Sequence, residues 1–62
     1  MKEIKISYDF TKLKGKPKRL LESLGYKIKS YGVQNDTVTL IFLSDDLNIL
    51  KQLKQLGISV EY

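Results

Sequence analysis

The sequence contains no cysteine and no histidine among its 62 residues. Without cysteine the chain can form neither a disulfide nor a thiolate metal site, and without histidine it lacks the commonest transition-metal ligand and the usual general base. The remaining residues show no nucleophile–base arrangement and no paired acid and base carboxylates. We therefore expect no enzyme activity, no metal and no cofactor.

Long apolar runs are also missing, since no stretch approaches the ~20 residues that a membrane-spanning helix needs. The N-terminal segment MKEIKISYDF alternates and carries charge, which is unlike a signal peptide. We therefore expect a cytoplasmic protein with no membrane partner. The length predicts a single domain over residues 1–62, and a domain of this size buries only about 60% of its unfolded surface.

Negative charge is scarce, because 11 Lys and Arg residues stand against 7 Asp and Glu residues and leave a formal net charge of +4. A basic balance permits attraction to nucleic acid, to acidic proteins or to anionic lipid. A Lys-rich surface that only maintains solubility explains the same composition, because small domains commonly carry a net charge of roughly 2–8.

Apolar and polar residues alternate in four segments, and two intervening segments have apolar residues at helical spacing. The strands are predicted at 2–10, 26–33, 37–43 and 58–62, and the helices at 17–24 and between Ser44 and Gly57. The order β-α-β-β-α-β is typical of the ferredoxin-like fold. We therefore predict an α+β fold class, with a four-stranded antiparallel sheet in the order 4-1-3-2 and two helices on one face.

The connections between these elements are rich in turn residues. We predict a loop at 11–16 and a polar hairpin turn at Gln34-Asn35-Asp36. The Asp9 carboxylate is predicted to cap the turn through residues 10–12 by an Asx-type hydrogen bond. Gly32 is predicted to mark a β-bulge near the end of its strand. Tyr8 is predicted to pack inward.

The helices carry recognisable end signals. Pro17 suits a first helical turn, and Gly25 suits a left-handed cap. The capping residues predicted for the second helix are Ser44, Asp45 and Asp46. The apolar faces predicted to be buried are Leu20, Leu21 and Leu24 in the first helix and Leu47, Ile49, Leu50, Leu53 and Leu56 in the second.

Five positive charges lie within eight residues, around a glycine and the only proline of the chain. A helix N-terminus favours an anion, glycine lets a phosphate approach the backbone, and flanking cations add attraction that is independent of nucleotide sequence. The spacing is not that of a Walker P-loop. A solvated turn in which Gly15 takes a positive φ, or contact with an acidic protein, stays open. The candidate phosphate-binding residues are Lys12, Lys14, Gly15, Lys16, Lys18 and Arg19.

The sheet face opposite the helices is predicted to be mostly polar. We place there Lys5, Ser7, Lys27, Lys29, Tyr31, Thr37, Thr39, Ile41, Leu43, Ser59 and Glu61. Lys27, Lys29 and Tyr31 are candidate RNA contacts, because lysines hold phosphates and tyrosine stacks on bases. A strand protected at the sheet edge by its lysines explains the same pattern. Ile41 and Leu43 are a candidate interface, unless neighbouring side chains cover them.

The stretch SYDFTKLKGKPKRLLESLGYKI, followed by DTVTLIF, resembles the small C-terminal domain of the bacterial YigZ/Impact family. The resemblance implies a ferredoxin-like domain of unknown function, similar to a domain of ribosome-bound elongation factors, with an N-terminal Impact-type partner domain. The sequence departs from the family pattern at Lys14. The matching positions are Tyr8-Asp9-Phe10, Leu13, Gly15, Lys16, Leu20-Leu21, Gly25 and Val38-Thr39-Leu40.

Three functions follow from these observations and stay open. The first is an accessory module that contacts RNA or the ribosome through residues 12–19, aided by Lys27 and Lys29. The second is a structural domain that docks on a neighbouring domain, or on a copy of itself, through the sheet. The third is a regulatory domain that binds a small metabolite between subunits, and the glycine of the first loop, Gly15, keeps this function open. We rank the RNA-binding module slightly ahead of the structural domain.

Overall fold

Alternating apolar residues produce a four-stranded antiparallel sheet in the computed structural model, which describes residues 2–61. The strand order is β2-β3-β1-β4, which is the predicted order 4-1-3-2 read from the opposite edge. The predicted α+β, ferredoxin-like fold class is therefore confirmed. The elements in chain order are β1 (Lys2–Asp9), α1 (Phe10–Leu13), α2 (Lys16–Ser23), β2 (Lys27–Gln34), β3 (Thr37–Ser44), α3 (Asn48–Gln55) and β4 (Ser59–Glu61).

The core lies between the sheet and the helices, and alternate residues of the two central strands supply more than half of it. β1 and β3 pair in register over eight residues, from Lys2 with Ser44 to Asp9 with Thr37. Burial of one large apolar side chain stabilises a fold by about 1.5–3 kcal/mol. Tyr8 points inward, as predicted. The buried hydrophobic residues are Ile4, Ile6, Tyr8, Leu21, Val38, Leu40, Phe42, Ile49, Leu50, Leu53 and Ile58.

Residues 11–16 do not form the predicted open loop, because Phe10–Leu13 form one helical turn, α1. The Asp9 carboxylate caps this turn, as predicted, by accepting hydrogen bonds from the Thr11 backbone amide at 2.9 Å and from the Thr11 hydroxyl at 2.7 Å. The Phe10 amide donates to the carbonyl of Asp36 at 2.8 Å, which ties α1 to the β2–β3 hairpin. Strand β1 therefore ends at Asp9 rather than at residue 10.

The positive φ predicted for Gly15 belongs instead to Lys14. Lys14 has φ 51° and ψ −131°, and Gly15 has φ −90° and ψ 9°. These angles are those of the two central residues of a type II′ turn, in which glycine is favoured at the first position. The lysine therefore occupies a backbone conformation that L side chains rarely adopt, and the glycine next to it does not need its conformational freedom.

The bulge in β2 lies at Lys29 rather than at the predicted Gly32. Ile28 pairs with Phe42 and Ser30 with Ile41, so Lys29 is the extra residue, whereas Gly32 pairs regularly with Thr39. A bulge reverses the faces to which the following side chains point. From residue 30 onward, the odd-numbered residues of β2 therefore lie on the helix side of the sheet.

The β2–β3 hairpin closes through Asn35 and Asp36, which have φ of 51° and 63°. Positive φ at both central positions defines a type I′ turn, whose twist matches that of the flanking strands. The turn is one residue shorter than predicted, because Gln34 belongs to β2 and pairs with Thr37.

The two longer helices each have eight residues, and no helix within residues 2–61 is long and apolar enough to cross a membrane. α2 begins one residue earlier than predicted, and Gly25 has φ 86°, which confirms the left-handed cap. Three leucines predicted to be buried are about half exposed, because they flank the helices: Leu24, Leu47 and Leu56.

The approach to α3 shows the predicted capping chemistry in two steps. The Ser44 hydroxyl accepts a hydrogen bond from the Asp46 amide at 3.0 Å, and the Asp46 carboxylate accepts one from the Asn48 amide at 2.8 Å. The helix begins later than the serine alone indicates, because Leu47 occupies its N-cap position without a side-chain hydrogen bond.

Replacing Lys14 with Gly should raise the free energy of unfolding by about 1 kcal/mol, because glycine adopts the φ of 51° without strain. Urea denaturation followed by circular dichroism measures the change. Lys12→Gly is the matched control, because it removes a lysine from the helical turn α1 and should lower stability by about 0.5–1 kcal/mol. Equal destabilisation by both substitutions would contradict the strain assigned to Lys14.

Candidate functional site

The basic segment, residues 12–19, lies at the end of the sheet where β1 finishes and β3 begins. It comprises the last residues of α1, the type II′ turn and the first turn of α2. Pro17 is buried in the first turn of α2 and fixes the segment to the core. Gly15 is the N-cap of α2 and has no side-chain capping bond. The positive end of the helix dipole therefore faces solvent between lysines.

Four cations of the basic segment are exposed and form no salt bridge with another residue in the described range 2–61. They are Lys12, Lys14, Lys16 and Arg19. Lys18 differs, because its Nζ lies 3.2 Å from the Glu22 carboxylate and 5.3 Å from the centroid of the Tyr31 ring. The segment therefore presents four positive charges to an external anion and uses the fifth within the fold.

The side chain of Arg19, in the first turn of α2, lies close to Gly15. A Cβ atom placed on Gly15 would lie 3.8 Å from Arg19 Nε and 3.9 Å from Arg19 Nη2. The guanidinium therefore stands beside the N-terminus of α2. An alanine fits at Gly15 in ordinary contact, so sterics in the isolated chain do not require this glycine.

The structure does not bring Lys27 and Lys29 to the basic segment. β2 begins at the opposite end of the sheet, where Lys27 pairs with Leu43 near the end of β3. Lys29 Nζ donates a hydrogen bond of 2.8 Å to the Glu3 carboxylate, which lies on β1, two strands away. The predicted RNA-binding set therefore divides into two separate surfaces, and one cation of the second is already paired.

The predicted position of Tyr31 on the open face is wrong. Tyr31 follows the bulge and pairs with Leu40, a core residue, so its ring lies on the helix side beneath Lys18. Among residues 2–61 the open face then carries no aromatic ring. Base stacking on this face therefore has no platform in the described part of the sheet. The sequence contains a signal for this reversal, because the spacing of the apolar positions 26, 28, 31 and 33 is two, then three, then two, rather than a constant two.

Ile41 and Leu43 lie on the open face and are only partly exposed. The Lys29–Glu3 ion pair crosses β3 from β2 to β1 at the level of these two residues. Long side chains cover apolar surface with their methylene stems. The geometry therefore favours local cover for Ile41 and Leu43, and their role as an interface stays a prediction.

Two titratable groups near the basic segment have shifted pKa values. Hydrogen bonds from the Thr11 hydroxyl and amide lower the pKa of Asp9, and the nearby charge of Lys12 lowers it further. Burial raises the pKa of Tyr8 above its ordinary value of 10.0, and Tyr31 contributes in the same direction. At neutral pH, Asp9 is thus ionised and Tyr8 holds its proton.

An open depression of about 290 Å³ lies on the open face beside the hairpin turn. Hydroxyl groups and two carboxylates supply its polar lining, which disfavours an anion and distinguishes the depression from the basic segment. The lining residues are Ser7, Tyr8, Asp9, Asn35, Asp36, Thr37 and Ser59.

No family model, curated protein or solved structure matches this chain. The resemblance to the YigZ/Impact C-terminal domain therefore stays a prediction. The geometry of the basic segment is the basis for assigning a function.

Replacing Tyr8 with Phe should raise the free energy of unfolding by about 1 kcal/mol at neutral pH, because the buried Tyr8 hydroxyl has no hydrogen-bond partner. The raised pKa means that above pH 10 the unfolded chain releases a proton that the folded chain retains. Wild-type stability should therefore fall as the pH rises through this range, and the advantage of Tyr8→Phe should grow.

Urea denaturation of the wild type and Tyr8→Phe at about pH 7 and about pH 10.5 measures both effects. Tyr31→Phe is the control at neutral pH, because Tyr31 is 40% exposed and the loss of its hydroxyl should change stability by less than about 0.5 kcal/mol. A constant difference between the wild type and Tyr8→Phe at the two pH values would contradict the raised pKa.

Proposed function

We propose that this chain is a non-catalytic module that binds RNA through contacts between its basic segment and backbone phosphates. The observation that carries the proposal is a set of four exposed cations around the N-terminus of α2 that form no salt bridge within residues 2–61. Helix N-termini bind phosphate oxygens through free amides, and flanking cations strengthen the contact. Cytoplasmic location, association with the ribosome and membership of the YigZ/Impact family belong to the same proposal.

The cations of the basic segment have different roles, which follow from their positions. Lys14 and Lys16 flank Gly15 in the sequence, and the Arg19 guanidinium stands beside this glycine. Arginine suits a phosphate because its planar donors bind two oxygens at once. Lys12 adds charge from α1. Lys18 supports the arrangement indirectly, because its side chain bonds to Glu22 one turn further along α2.

Binding of this kind reads the charge of the nucleic acid rather than its bases. Sequence is read by side chains that reach base edges or stack on rings, and the open face offers no ring within the described residues. Each phosphate contact instead releases a counterion, so affinity falls as salt rises. The module therefore contributes affinity, and a partner domain or the larger assembly would supply specificity.

The strain at Lys14 supports the proposal independently of the charge count. A glycine at position 14 would adopt the φ of 51° without backbone strain, yet the chain carries a lysine there. Residues held in unfavourable conformations concentrate at functional sites, where the side chain offsets the loss of stability. For Lys14, the function that offsets this loss would be to place a positive charge against a phosphate.

RNA affinity should fall linearly on a logarithmic salt scale with a slope of about −3, because four cations each contribute about 0.7 for a single strand. Lys16→Gln should weaken binding equally for unrelated RNA sequences and reduce the slope by about 0.7. Filter binding between about 50 and about 200 mM salt measures both quantities.

The control is Lys51→Gln, an exposed lysine of α3 whose loss changes the net charge by the same amount. Its salt slope should match that of the wild type. Absence of RNA retention at low salt, or equal losses for both variants, would reject the assignment to the basic segment.

Lys14→Gly should separate stability from function, since it removes both the strain and the charge. We expect weaker RNA binding, by a factor similar to that of Lys16→Gln, in a protein that is more stable than the wild type. Thermal denaturation and filter binding on the same preparation test this combination. Unchanged RNA affinity in the stabilised variant would remove Lys14 from the interface.

A further inference from the structure

The outer edge of β2 has no neighbouring strand among the described residues. β2 has eight residues, and all of them are exposed except Ile28, which is partly buried. The opposite edge strand, β4, has only three residues and packs against α3. Short edge strands resist pairing with other chains, whereas a long exposed edge presents unpaired amides and carbonyls. β2 is therefore the edge of this sheet that can accept another strand.

The two halves of β2 differ in their protection. The first half of β2 is protected against pairing with another strand, because charges and bulges at a sheet edge oppose such pairing. It carries Lys27, Lys29 and the bulge at Lys29. Residues 30–34, with the sequence Ser-Tyr-Gly-Val-Gln, contain no charge, no proline and no bulge. Tyr31 is 40% exposed and Val33 50% exposed, both on the helix side of the sheet. We call residues 30–34 the open edge.

Gly32, at the centre of the open edge, is not explained by the isolated chain. It has no positive φ, it pairs regularly with Thr39, and a Cβ atom there would meet nothing within 4 Å. Glycine in the middle of a strand is unfavourable relative to alanine. Close approach by another backbone is a standard reason for glycine in a strand.

We propose that the open edge pairs with the open edge of a second copy of this chain, antiparallel and centred on Gly32. The two sheets then continue into one sheet of eight strands. The partner is a copy rather than an unrelated strand because the features of β2 are complementary to themselves under a two-fold rotation.

The hydrogen-bonding pattern fits this register. In the type I′ turn, Gln34 and Thr37 occupy the positions of a hydrogen-bonded pair, so Tyr31 and Val33 direct their backbone groups outward. Pairing about Gly32 places Tyr31 of each copy opposite Val33 of the other, as a hydrogen-bonded pair. An aromatic residue opposite a β-branched one is a favourable cross-strand pair. Gly32 faces its own copy in a non-hydrogen-bonded pair, where strands approach most closely.

Charge is complementary in the same register. Antiparallel pairing about Gly32 brings the basic beginning of β2, with Lys27 and Lys29, beside the hairpin turn of the partner copy. That turn carries Asp36, which would stand opposite Ile28 and between the two lysines. A parallel arrangement would instead bring like charges together, which opposes it.

Sedimentation of the intact chain from about 10 μM to about 1 mM tests the association. We expect a monomer–dimer equilibrium for the wild type and at least tenfold weaker dimerisation for Val33→Lys, which places a charge in the open edge. Leu24→Lys is the matched control, because Leu24 is 54% exposed but lies at the end of α2. Its dimerisation should equal that of the wild type.

A monomeric wild type across this range would overturn the proposal and leave the open edge to a strand from another protein. Equal weakening by Val33→Lys and Leu24→Lys would also overturn it. Circular dichroism of each variant shows whether the fold is retained.

A disulfide test checks the register, because the chain has no cysteine of its own. Gly32→Cys should form a covalent dimer rapidly in a glutathione redox buffer, since facing residues of a non-hydrogen-bonded pair meet disulfide geometry. Ser30→Cys is the control, because its two thiols would lie about 13 Å apart along the strands. Similar rates for both variants would contradict the register. RNA binding depends on neither residue, so this result and the test of the basic segment are independent.

Discussion

The pairing of β1 with β3 is the constraint on which the rest of the structure depends. These strands join at eight consecutive positions, and their helix-side residues supply six of the 11 buried hydrophobic side chains. Both edge strands attach to this pair, and the helices cover it. A domain of this size has little other apolar surface to bury. The place where β1 ends therefore decides where the basic segment emerges.

The arrangement of charges follows from that placement. The chain passes from β1 into the helical turn α1 at one end of the sheet. The hydrogen bond from the Phe10 amide to the Asp36 carbonyl holds α1 against the β2–β3 hairpin. Glu3 and Glu22 pair with Lys29 and Lys18, and the other four cations of residues 12–19 form no salt bridge within residues 2–61. A charge excess that is small over the whole chain becomes concentrated at one corner.

The alternation of apolar residues was sufficient to predict the element order and the strand order, because burial on one face dictates both. This alternation could not predict details that depend on the backbone angles of single residues. Gly15 and Gly32 were natural positions for a positive φ and a bulge, yet Lys14 and Lys29 hold those roles. The backbone preferences of the residue types assign positive φ to glycine, and they do not predict a lysine in a conformation typical of glycine. The face of Tyr31 followed from the position of the bulge.

The strand order also constrains how the chain assembles. β1 comes first among the strands in chain order, yet its two neighbours in the sheet, β3 and β4, are the third and fourth strands. The alternating residues of β1 therefore pair only with segments that lie far from them in the sequence. Contacts between distant segments form slowly, so we expect the pairing of β1 with β3 to limit the rate at which the domain folds.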